Sequence, residues 1–525
     1  MTGTGRLIRL ILRRDRVLLP LWVVPLGLLP AGYIASFNGV FTTAQERIDY
    51  AHVSQHNAGF VGLYGILPGT SLAEIVAWRS GFMPVMIGLF ALLTVVRHTR
   101  SDEEAGRTEL IGSAAISRHA QLAAALVTTC AASLVLGLLV VAAMTGKGMP
   151  ATGSLAFGAE FTLAGWAFAG VAAVTAQLTS SARSARAIAV AVLGVAYTLR
   201  VGGDISATGD GKLSWLSWLS PIGWVTHIFP YSSNDWWPAV LTVLFAAATA
   251  GLGVVLLGRR DLGAGLLPAG LGRPGAPGWL RSPLALAWRL HRGLLLGWTV
   301  GFALLGLVFG GVAGSIVDLV GNNSGLAGVF GRLGGTQSLV DSYFAGIAGM
   351  VGLIAAAYAV QATLRMRDEE QTGHAEAVLS TAVGRYAWAG SHLVFSLLGP
   401  ALALFAEGLV AGLTYPSAGV GGVIGSTMVQ LPAVWVETAV AVLLFGVLPK
   451  WSMAAWAAPA ISLLILLVGG ITRLNHWLLD ISPFTHVPHV PGGDVAATPL
   501  ITLTVVAVAV GAAGLVGLRR RNLPD

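Results

Sequence analysis

Charge is what this chain of 525 residues has least of. Asp, Glu, Lys and Arg make up 10% of it, against about 25% in an average soluble domain. That shortage excludes a string of soluble domains, although the length would allow several. Cysteine is scarcer still. The one cysteine, Cys130, lies inside an apolar run, so neither an internal disulfide nor a multi-cysteine metal site can form. No P-loop occurs: Thr145-Gly146-Lys147-Gly148 has no hydroxyl residue after its lysine, and the phosphate-binding loop requires one. Gly270-Leu271-Gly272-Arg273-Pro274-Gly275 spells a dinucleotide fingerprint but follows no strand, and Pro274 interrupts the turn into a helix that such a site needs. His486 and His489 stand three apart with no third ligand, which leaves them as structural loop histidines. Asn322-Asn323-Ser324 is a sequon in spelling only. No nucleophile elbow or catalytic carboxylate pair is present.

What fills the chain instead is apolar. Hydrophobic residues make up 55%, with 69 glycines besides, and mean hydropathy is +0.75. Apolar runs of about 20 residues are the length a helix needs to cross the hydrocarbon core. The fold class expected is an all-α polytopic membrane protein of about twelve transmembrane helices. The first six candidate spans are 17–36, 78–97, 120–145, 156–178, 185–203 and 238–258. The second six are 293–316, 344–364, 387–412, 425–448, 452–471 and 497–518. The run from Val17 is too long for a signal-peptide core and lacks an Ala-x-Ala site, so it is expected to be a retained first span.

The net charge of +7 follows the positive-inside rule rather than indicating nucleic acid. With the N-terminus in the cytoplasm, 24 of the 31 basic residues fall inside, leaving Arg47, Arg79, Lys147, Arg200, Lys212, Arg332 and Arg473 outside. Both termini are therefore expected in the cytoplasm. In the opening Leu-Ile-Arg-Leu-Ile-Leu-Arg-Arg-Asp-Arg, helical spacing puts Leu7, Leu10 and Ile11 on one face and Arg9, Arg13 and Arg16 on the other, as in a helix lying along a membrane surface. Loops 37–77 and 204–236 are long enough for short external helices, and Trp215, Trp218, Trp224, Trp236 and Trp237 suit an outer aromatic belt.

The charges that do occur are written twice. Arg100–Arg118 and Arg367–Arg385 align at a shift of 267 with seven identities. These are Arg100/Arg367, Glu103/Glu370, Gly106/Gly373, Glu109/Glu376, Ser113/Ser380, Ala115/Ala382 and Arg118/Arg385. Other landmarks follow in order: Arg13, Arg16 and Trp22 against Arg289, Arg292 and Trp298; Arg183 against Lys450; Ser220-Pro221 against Ser482-Pro483; Arg259-Arg260 against Arg520-Arg521. An internal duplication is the reading, with halves 1–260 and 284–525 joined by a Gly/Pro-rich cytoplasmic linker at 261–283. Six spans are an even number, so the halves form a parallel repeat, a pseudo-dimer. The repeated segment then lies twice on the cytoplasmic face. Gly106 and Gly373 are points for the chain to turn, Glu103 and Arg107 have i,i+4 spacing, and Leu110, Ile111 and Ala114 make a small apolar face beside Glu109.

The pattern E-[EQ]-x-G-x-x-E-x-[IV]-x-S-x-A-x-[SG]-R after a second span resembles the first cytoplasmic loop of ABC type-2 permeases. Leu219-Ser220-Pro221-Ile222-Gly223-Trp224 and Ile481-Ser482-Pro483-Phe484-Thr485 resemble that family's segment before its last span. Both halves are covered, most like the double-length actinobacterial permeases linked to tetronasin and multidrug resistance. Two departures stand out. The family's proline is Ala115 and Ala382 here, and its Gly-Thr is Gly106-Arg107 and Gly373-His374.

The resemblance implies the membrane subunit of an exporter in a bacterial plasma membrane, moving a small hydrophobic or amphipathic compound. It implies coupling helices at Glu103–Ser117 and Glu370–Gly384, received by two copies of a separate ABC ATPase. Docking residues would be Glu103, Glu104, Gly106, Arg107, Glu109 and Arg118, with Glu370, Gly373, Glu376 and Arg385 in the second half. Arg183 and Lys450 would mark second contacts, and the second and fifth spans of each half would line the path. This chain would bind no cofactor; ATP and Mg would be used by the partner. Membrane lipid is the other expected partner, and nucleic acid is not. The alternatives are a proton-coupled secondary transporter and a membrane enzyme on lipid-linked substrates. Glu407 and Glu437 lie in apolar runs where the first half has Val140 and Gly170. Charge near a bilayer centre costs at least about 2.5–3.5 kcal/mol, so each is either a carboxyl bonded to a neighbouring helix or a group that recognises cationic or hydrogen-bonding cargo.

Overall fold

The structure, a computed structural model, describes residues 3–41, 43–112, 116–209, 211–267, 275–320, 339–469, 476–490 and 496–521. Among them there is no strand, and the protein is an all-α polytopic membrane protein. Among the described residues ten helices are long and apolar enough to cross a membrane, or eleven if one bent pair counts as a span. The chain divides into two compact units, Met1–Gly272 and Arg273–Asp525.

The first unit opens with α1 (Thr4–Arg14) and α2 (Leu18–Val40). Short helices α3 (Ala44–His56), α4 (Ala58–Tyr64) and α5 (Leu72–Arg79) precede α6 (Met83–His98). The second expected span is thus longer than 78–97 and bent by 41° between α5 and the helices that follow it. The Ser80 hydroxyl donates to the Val76 carbonyl at 2.9 Å, and Pro84 restarts the helix. Two small helices, α7 (Arg100–Glu104) and α8 (Arg107–Gly112), lead to the long α9 (Ala120–Gly146), α10 (Ala151–Leu178) and α11 (Ala182–Thr208). After a 3₁₀ turn at Ser214–Leu219 come α12 (Pro221–Thr226) and α13 (Trp237–Gly258). In α1, Leu7 and Ile11 are buried against Ala120, Ala124 and Ala125 of α9, while Leu10 stays 42% exposed.

Lipid tails are as apolar as leucine, so helices in a bilayer are held by close packing rather than by the hydrophobic effect. The sequence supplies small residues where that contact is tightest. At the α9–α10 crossing, a Cβ on Gly137 or Gly158 would collide with the other's backbone. The result is that α10, with 83% of its apolar window buried, is the centre of the first unit.

The second unit holds α14 (Pro283–Val320), α15 (Leu339–Gln371), α16 (His374–Leu379), α17 (Arg385–Thr414), α18 (Val420–Met428) and α19 (Leu431–Val447). Then come α20 (Ala457–Gly469), α21 (His476–Leu479) and α22 (Ala497–Arg520). At the α19–α22 crossing, a Cβ on Gly446 would meet the Gly514 backbone and one on Gly514 the backbone of Val442 and Leu443. The expected span 452–471 differs from expectation: Pro449–Trp456 is 3₁₀ and only Ala457–Gly469 is α-helical. Ser113, Ala114, Ala115, Gly270–Pro274, Asn322–Ser324, Arg332 and Arg473 lie outside the described residues, as do the side chains of Leu110 and Ile111.

Candidate functional site

The duplicated segment begins where α6 runs out of apolar residues. Thr99 leaves the helical region (φ −119°, ψ −85°) and α7 follows as one polar turn. Glu103 is gripped from three directions. Arg260, beyond the end of α13, forks onto its two oxygens at 2.6 and 2.7 Å. Arg100 donates to it at 2.8 Å and the Gly263 N–H at 2.7 Å. Two parallel charge-assisted bonds fix direction as well as distance. Arg260 is itself held by the Gln177 side chain at 2.8 Å, and Arg118 donates to its carbonyl. Asp102 accepts from Arg14 at 2.7 Å and from Arg107 at 2.8 Å. The hydrogen bond and charge of Asp102 raise the Arg14 guanidinium above its ordinary value.

The i,i+4 pair between Glu103 and Arg107 does not form. Gly106 has φ 69°, a left-handed turn that suits glycine, and it breaks the helix between the two residues. Arg107 consequently turns back to Asp102. Glu104 reaches the other way, accepting the Ala182 N–H at the start of α11 at 3.0 Å. It therefore ties the segment to the turn that carries Arg183.

The second unit repeats the device. Arg521, just past α22, puts one nitrogen on both oxygens of Glu370 at 2.6 and 2.8 Å. Arg385 donates to the carbonyls of Leu518, Arg519 and Arg521 at 3.2, 3.1 and 2.5 Å, satisfying acceptors that a helix end leaves open. Gly373 has φ 74°, and His374 after it comes within 3.9 Å of Glu369, as Arg107 does to Asp102. In α16, Ala375, Val378 and Leu379 pack inward near Met366, Trp388 and Phe445. Glu376 faces out.

The expected docking residues thus fall into two groups. Glu103 and Arg118, like Glu370 and Arg385, bind each loop to the last helix of its own unit. Arg107, Glu109, Arg183, Glu376 and Lys450 have exposed side chains, as do Glu104 and Arg118, so a partner could touch them. Of the interior carboxyls, Glu437 accepts from Ser462 on α20 at 2.7 Å. Glu407, 1% exposed, has its Oε2 buried without a hydrogen bond.

A further buried ionic cluster escaped the sequence reading. At the other end of α6 from α7, Arg200 of α11 pairs with Asp204 at 2.9 Å and donates to the Gly62 carbonyl at 2.7 Å. His227 stands 3.5 Å from Asp204, and Glu160 of α10 faces the same small cavity. Two signals were available: an acidic residue within the apolar run of 156–178, and an Arg-x-x-x-Asp at helical spacing. The sequence reading counts Arg200 among the outer charges although it falls within the expected span 185–203, and it puts Asp204 in the loop that follows.

One family model, described as multidrug efflux system permease Rv1217c, C-terminal domain, matches residues 6–257 and again 280–519. The chain is 41% identical over 529 residues to the multidrug efflux system permease protein Rv1217c of Mycobacterium tuberculosis (strain ATCC 25618 / H37Rv). That alignment covers 99% of this chain and 95% of the relative.

Proposed function

Because the chain belongs to the multidrug efflux system permease family of that double match, we propose that it is the permease subunit of an ATP-driven drug exporter. Two copies of a separate ABC ATPase dock beneath it in a bacterial plasma membrane, one at each duplicated segment. Both termini lie in the cytoplasm with those segments. ATP and Mg belong to the partner, since this chain has no phosphate-binding loop. The cargo is a hydrophobic or amphipathic compound. One observation carries the reading: in each half a Glu–Arg fork fastens the polar segment to the unit's last helix, while Glu109 or Glu376 stays exposed.

Mechanically, such a segment can transmit force. A loop held only by its own backbone would yield when pulled. A loop forked to the last span and joined through Glu104 to α11 moves those helices with it. Closure of the ATPase pair would then be passed to the spans.

Replacing Glu109 and Glu376 together by lysine reverses two exposed charges and touches none of the forks. Co-purification with the ATPase is expected to fall roughly tenfold, the size of about 1.4 kcal/mol of docking energy. The yield of the chain itself should not change. Undiminished co-purification and drug export in the double variant would remove the duplicated segments from the docking surface. Export that persists in vesicles without any ATPase would favour a proton-coupled transporter.

A further inference from the structure

The cavity beside Arg200 and Asp204 is small, polar and lopsided in charge. Its walls include Tyr64, Trp78, Phe229, Glu160, Asp204 and His227. Asp204 is answered by Arg200. Glu160 is 3% exposed, and no hydrogen bond or ion pair reaches it among the described residues; only the charge of Arg200, already paired with Asp204, acts on it from nearby. A carboxylate buried in this way costs several kcal/mol unless a positive charge joins it. The other charged neighbours are already engaged. Glu74, at the mouth, accepts the Ser71 N–H at 3.0 Å, and the Arg79 guanidinium lies 4.3 Å from the ring centre of Tyr64. Burial pushes the Tyr64 phenol up to about 12, so it faces the cavity as a neutral group. Tyr231, also neutral, is bonded to Ser154. Helices α9 and α13 carry no charged residue, and α6 has none at this end. Glu160 and Asp204 thus share one guanidinium, that of Arg200, with His227 3.5 Å from Asp204 rather than on Glu160.

Size decides what can supply a further positive charge. The cavity holds about 30 Å³, far below the 300–1,000 Å³ or so of a drug pocket and enough for one or two water-sized groups. Aromatic rings on its walls suit a cation. Phe229 is held at φ 46°, a strained conformation for a bulky residue that places it at the wall. We infer that this chamber is a binding site for the ammonium end of an amine-bearing amphipathic compound, with Glu160 as its counter-charge.

When the chamber is empty, Glu160 holds a proton. Entry of R–NH₃⁺ displaces that proton to water and leaves the ammonium against the Glu160 carboxylate, with no covalent bond made or broken. Binding thus releases one proton, and affinity rises up to about tenfold per pH unit while the proton competes. Calling the ligand a cargo rests on the efflux reading; binding itself does not, because it needs neither nucleotide nor ATPase.

The test is equilibrium binding of dansylcadaverine, a fluorescent primary amine, to the full chain in lipid nanodiscs. Its N-acetylated form, which has no charge, is the comparison. The amine should bind at least tenfold more tightly than the acetylated dye, and more tightly as pH rises. Glu160→Gln should abolish both differences, while Glu160→Asp retains part of them. The wild-type pH series stands by itself if the glutamine variant does not fold. Equal binding of the two dyes to the wild type would overturn the site, as would an amine preference that survives in Glu160→Gln. Neither result bears on ATPase docking.

Discussion

The two halves agree at one end and disagree inside. Where the duplicated segment lies, Glu103 pairs with Arg260 and Glu370 with Arg521, through two nitrogens in the first half and one in the second, and Arg118 and Arg385 both donate to carbonyls at the end of the unit's last helix. The buried ionisable residues of the interior do not match. The first half buries Glu160, Arg200 and Asp204; at the shift of 267 the second half has Thr427, Leu467 and Ile471. The second half buries Glu407 and Glu437 where the first has Val140 and Gly170. Duplication has kept the polar segments and their ties to each unit's last helix, while the buried ionisable residues have diverged.

The largest effect expected from breaking this comparison is at Arg200. Arg200→Met removes the counter-charge of a fully buried Asp204, a change that costs about 3–5 kcal/mol. Folded protein recovered from membranes should drop severely. A normal yield would mean that the Arg200–Asp204 pair does not hold the fold together.

The forks come next. Glu103→Gln and Glu370→Gln each lose charge-assisted hydrogen bonds worth about 1.5–3 kcal/mol. Glu103 should cost more, since Arg100 and the Gly263 N–H bind it in addition to Arg260. Thermal unfolding of the purified chain reads the difference. If only one substitution destabilises, the forks are not equivalent.

Glu437 sharpens the interior contrast at lower cost. Glu437→Ala leaves the Ser462 hydroxyl without its acceptor, which is worth about 1–3 kcal/mol and should lower yield. Glu437→Gln keeps an acceptor there, so yield should hold while the preference between cationic and neutral drugs shifts. Unchanged preference would make this carboxyl a packing element.

Orientation can be probed with almost no energetic effect. In a Cys130→Ser background, Gly148→Cys should react with an impermeant reagent from outside and Ser184→Cys should not. The opposite pattern would put the duplicated segments on the wrong face for an ATPase.

Much of this was legible because bilayer constraints are written in composition. Apolar runs located nearly every span, and the repeated charges located both polar segments. Partner choice was not legible. Sequence spacing paired Glu103 with Arg107, but the left-handed Gly106 separates them, and the true partner Arg260 lies 157 positions away. The Arg200 cluster was missed because α11 runs on to Thr208. That extra length brings Asp204, expected in the loop 204–236, into the packed bundle beside Arg200. The span at 452–471 was overextended for the converse reason: Pro449 starts a 3₁₀ stretch in which apolar composition is kept but α-helical geometry is not.

The central claim is that each half docks its own ATPase. The most direct measurement is the mass of the complex obtained when the full chain is co-expressed with its ATPase and purified with ATP bound but not hydrolysed. Two ATPase copies per chain are expected, falling to one or fewer when Glu109 and Glu376 are both lysine. A wild-type complex holding a single ATPase, or none, would contradict the account.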